Sequence, residues 1–175
     1  ASVVVADGKK NITRLSIDKP VSERRWYHIW ATFDLVSEKL GIYQTAVIDS
    51  FDLDKPLQKE IACSIQPRPT SKQPLIIGAA GNKQIKNCFN GKIERPFFIK
   101  EAIKDKDALD IAKGNNDPRI TAVWDFSKNI SSQDVLDISG NKFHGKIINL
   151  PTRAVKGFMW DGSCFDWTKK PEHYG

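Results

Sequence analysis

The chain has 175 residues and a formal net charge of +6, and 40% of its residues are hydrophobic. This length suits one domain, or one domain with part of another, and this apolar content excludes a disordered or fibrous chain. Basic residues occur in scattered pairs rather than in runs between aromatics, which argues against nucleic-acid binding. No stretch approaches the ~20 apolar residues that span a bilayer, so we expect no membrane partner.

The first eight residues and the cysteines indicate the cellular setting. Residues 1–8 lack the basic leader and the apolar run of a signal peptide, and the chain does not begin with Met. We therefore expect a processed product or an excised part of a longer protein. Cys63, Cys88 and Cys164 are widely spaced, which argues against a disulfide framework or a structural zinc site. One bridge stays possible, but free thiols in a reducing cytoplasm are the simpler interpretation.

Short β-branched and aromatic segments between turn signals predict a mostly β chain. Residues 3–6 end at the turn pair Asp7-Gly8, and residues 12–17 are the expected partner strand. Bulky residues on both faces of the segment 26–34 predict a central strand that is covered on both sides. A long loop is expected over 48–73. Further strands are expected at 40–45, 61–65, 74–79, 89–99, 122–126 and 146–150.

One short helix is predicted over residues 101–113. An aspartate at position 105 or 107 is the expected cap, and Gly114 supplies the stop. Many short strands with a single small helix are typical of an all-β sandwich.

Three segments resemble a known family in the same order along the chain. Residues 25–34 resemble the "W-x-H-hydrophobic-x-x-T-hydrophobic-D" strand of laminin-G-like domains. Residues 74–79 resemble its "P-L-x-I-G" strand, and residues 89–98 its "F-x-G-x-I-D" segment. The resemblance implies a laminin-G-like, concanavalin A-like jelly-roll sandwich with its helix at 103–113. It says little about function, because this sandwich serves many activities.

The segments after residue 124 raise a question of strand order. Residues 124–126, 135–141 and 144–145 resemble the opening hairpin of such a domain, yet they come last. Either a second repeat begins here, or the closing strands come in permuted order and the N-terminal part of the sandwich is missing or short. We favour the second interpretation. The predicted domains are a sandwich over 1–150, with 124–150 as closing strands, and a connector over 151–175 toward an absent downstream domain.

A further resemblance suggests a parent enzyme. Residues 149–157, 160–162 and 171–175, with 24–27 and 124–127, are similar to the large subunit of bacterial N,N-dimethylformamidases. The resemblance implies a cytoplasmic bacterial hydrolase of linear amides, with iron in a domain that follows residue 175. It implies an accessory region that contacts the remaining domains and other subunits. No catalytic residue is carried over to this chain.

Candidate site residues are few and belong to surfaces rather than to reaction centres. The nucleophile motifs and the E-x-D-x-x-E run of related glycosidases are lacking in the sequence, which excludes a recognisable catalytic constellation. Asp49, Asp52 and Asp54 form an acidic loop, at best a weak calcium site, and no other metal or cofactor site is expected.

Aromatic residues offer two candidate contact surfaces. Trp26, His28 and Trp30 share one face of the strongest strand, where they either stack on sugars or pack under another layer. Trp160, Trp167 and Tyr174 are candidates for contacts between domains. The sugar interpretation supports an alternative function, a free-standing lectin-like module that binds carbohydrate or protein.

Overall fold

The computed structural model describes residues 1–8, 11–48, 55–66, 74–81 and 84–153. These residues contain nine strands and one helix, which confirms the predicted all-β class with a single short helix. The chain divides into two compact units. The first comprises Ala1–Gly91 and Ile99–Ile120, and the second comprises Lys92–Phe98 and the chain from Thr121 onward.

The first unit begins with a two-stranded antiparallel sheet. Strand β1 (Ser2–Ala6) pairs with β2 (Ile12–Ser16), so that Val3 lies opposite Leu15, as the sequence predicts. Side chains alternate between exposed and covered positions along both strands, because successive residues of a strand point to opposite faces. One face of this hairpin is therefore apolar and packs inward.

A three-stranded antiparallel sheet completes the β structure of the first unit. It contains β3 (Tyr27–Asp34), β4 (Lys39–Ala46) and β5 (Leu57–Ala62), in the order β3-β4-β5. The expected central position of β3 is wrong for the described strands, because β4 lies in the middle. The loop expected over 48–73 contains β5, which begins earlier than the predicted strand at 61–65.

The two sheets of the first unit share one apolar core. Leu40 and Ile42 of β4 lie in it together with Leu15 and Cys63, and Leu40 is completely inaccessible to solvent. Partly buried apolar residues surround this cluster, Phe33 of β3 among them. This packing of sheet against sheet is the β-sandwich arrangement that the sequence predicts.

Helix α1 (Asp105–Ala112) is shorter than the predicted segment and begins without the expected side-chain cap. Lys104 occupies the N-cap and makes no capping hydrogen bond. Asp105 and Asp107 lie instead within the first turn, where carboxylates interact favourably with the helix dipole. The helix ends as predicted at Gly114, whose φ of 101° is accessible to glycine at little cost.

Four short strands form the sheet to which the second unit contributes most. They are β6 (Phe97–Ile99), β7 (Ile120–Asp125), β8 (Asp134–Asp137) and β9 (Gly145–Lys146), in the order β6-β7-β8-β9. Ala122 and Trp124 of β7 pack with Val135 of β8 in a second buried cluster. The strand predicted at 74–79 is not formed, and of the segment predicted at 89–99 only its end is a strand, β6, because the residues before it have loop and bend conformations.

We predict that Leu40→Ala destabilises the chain by about 2–5 kcal/mol, since it removes a fully buried side chain and leaves a cavity. Val36 is 94% exposed at the turn that follows β3, so Val36→Ala should change stability by less than about 0.5 kcal/mol. Urea denaturation of both variants checks this pair. Equal stabilities would show that Leu40 is not buried in the core.

Candidate functional site

The surface formed by Trp26, His28 and Trp30 is the first candidate, and its residue Trp30 is engaged within the first unit. The Trp30 ring stacks on Tyr43, its partner across the β3–β4 ladder, with 3.9 Å between ring centroids. The indole Nε1–H donates to Asp105 Oδ1 of α1 at 3.1 Å. One ring face and the only polar group of Trp30 are thus used internally.

The other positions on this face are also close to other groups of the first unit. A Cβ atom on Gly41 would lie 2.7 Å from Thr32 Oγ1, so a side chain at position 41 would require the Thr32 hydroxyl to move. Burial, followed by the charge of Asp105, raises the pKa of Tyr43 and keeps its hydroxyl neutral. These contacts favour a packing role for Trp30. Sugar stacking by Trp26, His28 and Trp30 remains a prediction.

His28 lies on the same face and is only partly accessible. Burial, and then the nearby ammonium of Lys113 at the end of α1, lowers the pKa of His28 below its ordinary value of 6.5. Both influences disfavour the protonated imidazole. The fold therefore favours the neutral form of His28.

A second cluster of charged residues ties α1 to the segment that follows it. Arg119 Nη2 lies 2.8 Å from Asp107 Oδ2 and 2.6 Å from Asp117 Oδ2, and Arg119 Nε donates to Asp117 Oδ1 at 2.9 Å. The hydrogen bonds from Arg119 lower the pKa of Asp117 to about 2. Both carboxylates serve an ion-pair network, and the bidentate geometry fixes the backbone after the helix.

In the second unit, the buried carboxylate of Asp137 organises the segment after β8. Its Oδ1 accepts the backbone N–H groups of Val123 and Ser139 at 3.0 and 2.9 Å. Its Oδ2 accepts Ser139 Oγ–H and the N–H of Phe143, both at 2.9 Å. Burial alone raises the pKa of Asp137, but these hydrogen bonds outweigh it and leave the pKa lowered.

Arg153 bonds the backbone of the segment between β7 and β8, as a donor to carbonyl oxygens rather than as an acceptor. Its Nε donates to the carbonyl oxygen of Phe126 at 2.8 Å, and its Nη2 donates to that of Lys128. Its Nη1 lies 3.2 Å from three further backbone carbonyl oxygens, those of Asn129, Ser132 and Asp134. One guanidinium group thus donates hydrogen bonds to five carbonyl oxygens within a nine-residue segment (126–134). The motif at residues 149–157, which contains Arg153, does not by itself indicate this role.

Histidines, cysteines and carboxylates form no metal site in the part of the chain that the structure describes. Groups of three or more His, Cys, Asp or Glu residues able to hold a metal are not found there. Cys63 is buried and Cys88 is exposed, and both are free thiols. The remaining candidates lie outside the described residues, namely Asp49, Asp52, Asp54, Trp160, Cys164, Trp167, His173 and Tyr174.

The described part of the chain contains no helix that is long and apolar enough to cross a membrane. Fold and side-chain contacts together define a β-sandwich region in which Trp30, Asp137 and Arg153 hold the structure together. These residues are engaged in packing and hydrogen bonding rather than displayed around an open centre.

Sequence comparisons add a more specific relationship. The chain is 30% identical to the beta subunit of N,N-dimethylformamidase from Paracoccus aminophilus, over 192 aligned positions that cover 98% of this chain and 25% of that protein. It is 29% identical to the corresponding beta subunit from Alcaligenes sp, with the same coverage. The chain therefore spans about a quarter of the length of the curated relatives it matches. No protein-family model matches it.

We predict that lowering the pH below 6.5 reduces the stability of the folded chain through His28. Because its pKa is lower in the folded chain than in the unfolded one, the unfolded chain binds more protons as the pH falls below 6.5. The stability that neutral His28 contributes is complete above this pH and is lost below it. His28→Gln, which cannot protonate, should remove this part of the pH dependence. Urea denaturation at pH 7.5 and pH 5 measures it, and parallel pH profiles of the two proteins would contradict it.

We predict that Arg153→Ala lowers the free energy of unfolding by about 1–3 kcal/mol, because the carbonyl oxygens around the guanidinium lose their donor. Arg153→Lys should recover only part of this stability, since an ammonium group has three donors and no planar fork. Arg14 lies exposed on β2, and Arg14→Ala is the matched control. Thermal and urea denaturation provide the measurement, and equal losses at Arg153 and Arg14 would refute the assignment.

Proposed function

We propose that this chain is a non-catalytic accessory region of a larger bacterial amide hydrolase of the N,N-dimethylformamidase type. The observation that carries the proposal is the similarity to two beta subunits over 98% of this chain but only 25% of each relative. Most of the relatives' length lies outside the matched part. The proposal assigns amide hydrolysis to the larger protein, and assigns packing and contact with other domains or subunits to this region.

The fold supports a scaffold role. Core packing in the first unit and the hydrogen bonds of Asp137 and Arg153 in the second make both units internally well supported. Rigid scaffolds of this kind position loops for recognition. We further propose that the architecture is of the laminin-G-like jelly-roll type, on the strength of the strand motifs and the single helix.

An iron centre does not fit the described residues. Metal centres of this kind need several His, Cys or carboxylate ligands at one place, and the described residues offer no such group. The proposal therefore locates the iron outside the described residues and routes no catalytic step through the described side chains.

Free thiols at Cys63 and Cys88 support a reducing compartment, so we place the protein in the bacterial cytoplasm. The alternative of a free-standing carbohydrate-binding module gains no support from the engaged indole of Trp30.

An activity assay tests this proposal. The intact protein that carries this chain, purified in its native assembly, should release dimethylamine from N,N-dimethylformamide. The 175-residue chain alone should release none, because its described side chains form no reaction centre. Release by the isolated chain would overturn the accessory role. An iron-loaded intact protein without activity on any linear amide would overturn the assignment of the parent enzyme.

A further inference from the structure

The segment before β6 contains the single Asn-Gly pair of the sequence, Asn90-Gly91. Asn90 belongs to no helix or strand, Gly91 lies in a bend, and both residues are exposed. In any asparagine the side-chain carbonyl carbon lies within reach of the backbone nitrogen of the following residue. Glycine has no Cβ atom to obstruct the approach of these two atoms, so this pair is the most reactive arrangement that an asparagine can have.

The two groups that would react are unoccupied in the described part of the chain. The backbone N–H of Gly91 donates no hydrogen bond to another described residue, and the Asn90 carboxamide has no hydrogen-bond partner among them. Asn141 differs, because its Nδ2 donates to the carbonyl oxygen of Thr121 at 2.9 Å. Asn90 can therefore turn its carboxamide toward the nitrogen of Gly91 without breaking a hydrogen bond.

Local packing favours glycine at position 91. A Cβ atom there would lie 2.6 and 2.7 Å from two ring carbons of Phe89. Carbon atoms make favourable contacts at roughly 3.5–4.0 Å, so a side chain at this position would require the ring to move. The backbone of Phe89 is itself held, because its N–H donates to the carbonyl oxygen of Gly78 at 2.7 Å. The contact that favours glycine thus also keeps Asn90 next to an unobstructed nitrogen.

We propose that Asn90 is a site of spontaneous deamidation. The backbone nitrogen of Gly91 attacks Cγ of Asn90, and the new C–N bond closes a five-membered imide. The side-chain nitrogen leaves as ammonia and takes the proton of the attacking nitrogen with it. Water then opens the imide at either carbonyl carbon and leaves aspartate or isoaspartate at position 90. In isoaspartate the main chain runs through the former side chain and is longer by one methylene group.

Both products alter the chain where it passes from one unit to the other. The first segment of the first unit ends at Gly91, and the second unit begins at Lys92. Either product places a new carboxylate two residues before Lys92 and lowers the formal net charge of +6 by one. The inference does not depend on the proposed function, because the reacting atoms belong to residues 90 and 91 alone.

Incubation of the intact protein that carries this chain in mildly alkaline buffer, followed by tryptic digestion, tests the site. Trypsin cleaves after Lys86 and Lys92, so one peptide contains both Asn90 and the exposed control residue Asn87. Conversion at Asn90 should be at least about tenfold faster than at Asn87, because the Cβ atom of Cys88 obstructs the same attack. Fragment spectra should show that OH replaces NH₂ at position 90, as aspartate and as isoaspartate. A sample digested before incubation measures the conversion that digestion itself causes.

Two variants control the experiment. Asn90→Gln lengthens the side chain by one methylene group, so the ring would need six members and conversion should fall to the level of Asn87. Since the side chain is exposed, this variant should melt at an unchanged temperature. Gly91→Ala introduces the obstructing Cβ atom and should slow conversion at least about tenfold.

Three outcomes would overturn the deamidation site. The first is equal conversion at Asn90 and Asn87, and the second is conversion at Asn90 that does not increase during incubation. The third is aspartate without isoaspartate, because direct hydrolysis of the carboxamide gives aspartate alone and involves no attack by Gly91.

Discussion

Every backbone N–H and C=O group that is withdrawn from water needs a partner, and the second unit has short strands with which to supply them. Two charged side chains supply further partners for these backbone groups. The carboxylate of Asp137 accepts the donors of one loop, and the guanidinium of Arg153 donates to the carbonyl groups of another. Charge-assisted hydrogen bonds of this kind are stronger than neutral ones, so they support the short strands in the described part of this unit.

Local pattern was enough to predict much of the first unit. The β-branched run before Asp7-Gly8, the period-two segment at β3 and the glycine after α1 each have a local physical cause, and each appears in the structure. Strand order was not predictable in this way. The bulky side chains on both faces of β3 suggested a strand in the middle of its sheet, but β3 lies at one edge of the three described strands. The side chain that bonds Trp30 comes from α1, 75 residues further along the chain.

The organising residues show the same limit. Asp137 lies in a turn sequence that could be recognised, because an Asp side chain commonly accepts the backbone N–H two residues further on in an Asx turn, as it does here from Ser139. The role of Arg153 depends on carbonyl groups 19 to 27 residues earlier in the chain, which no local pattern reveals. For the candidate site, the sequence identified Trp30 and His28 as neighbours on one face. It could not show that Asp105 and Lys113 would meet them there.

The spans of these contacts along the chain also affect how the two units form. The donor farthest in sequence from Asp137 is Val123, 14 residues away, whereas Trp30 and Asp105 are 75 residues apart. Closing the longer loop costs about 1.5 kcal/mol more chain entropy, because this cost grows with the logarithm of loop length. The loop around Asp137 therefore closes at a lower entropic cost, from its own neighbourhood, than the contact of α1 with β3 does.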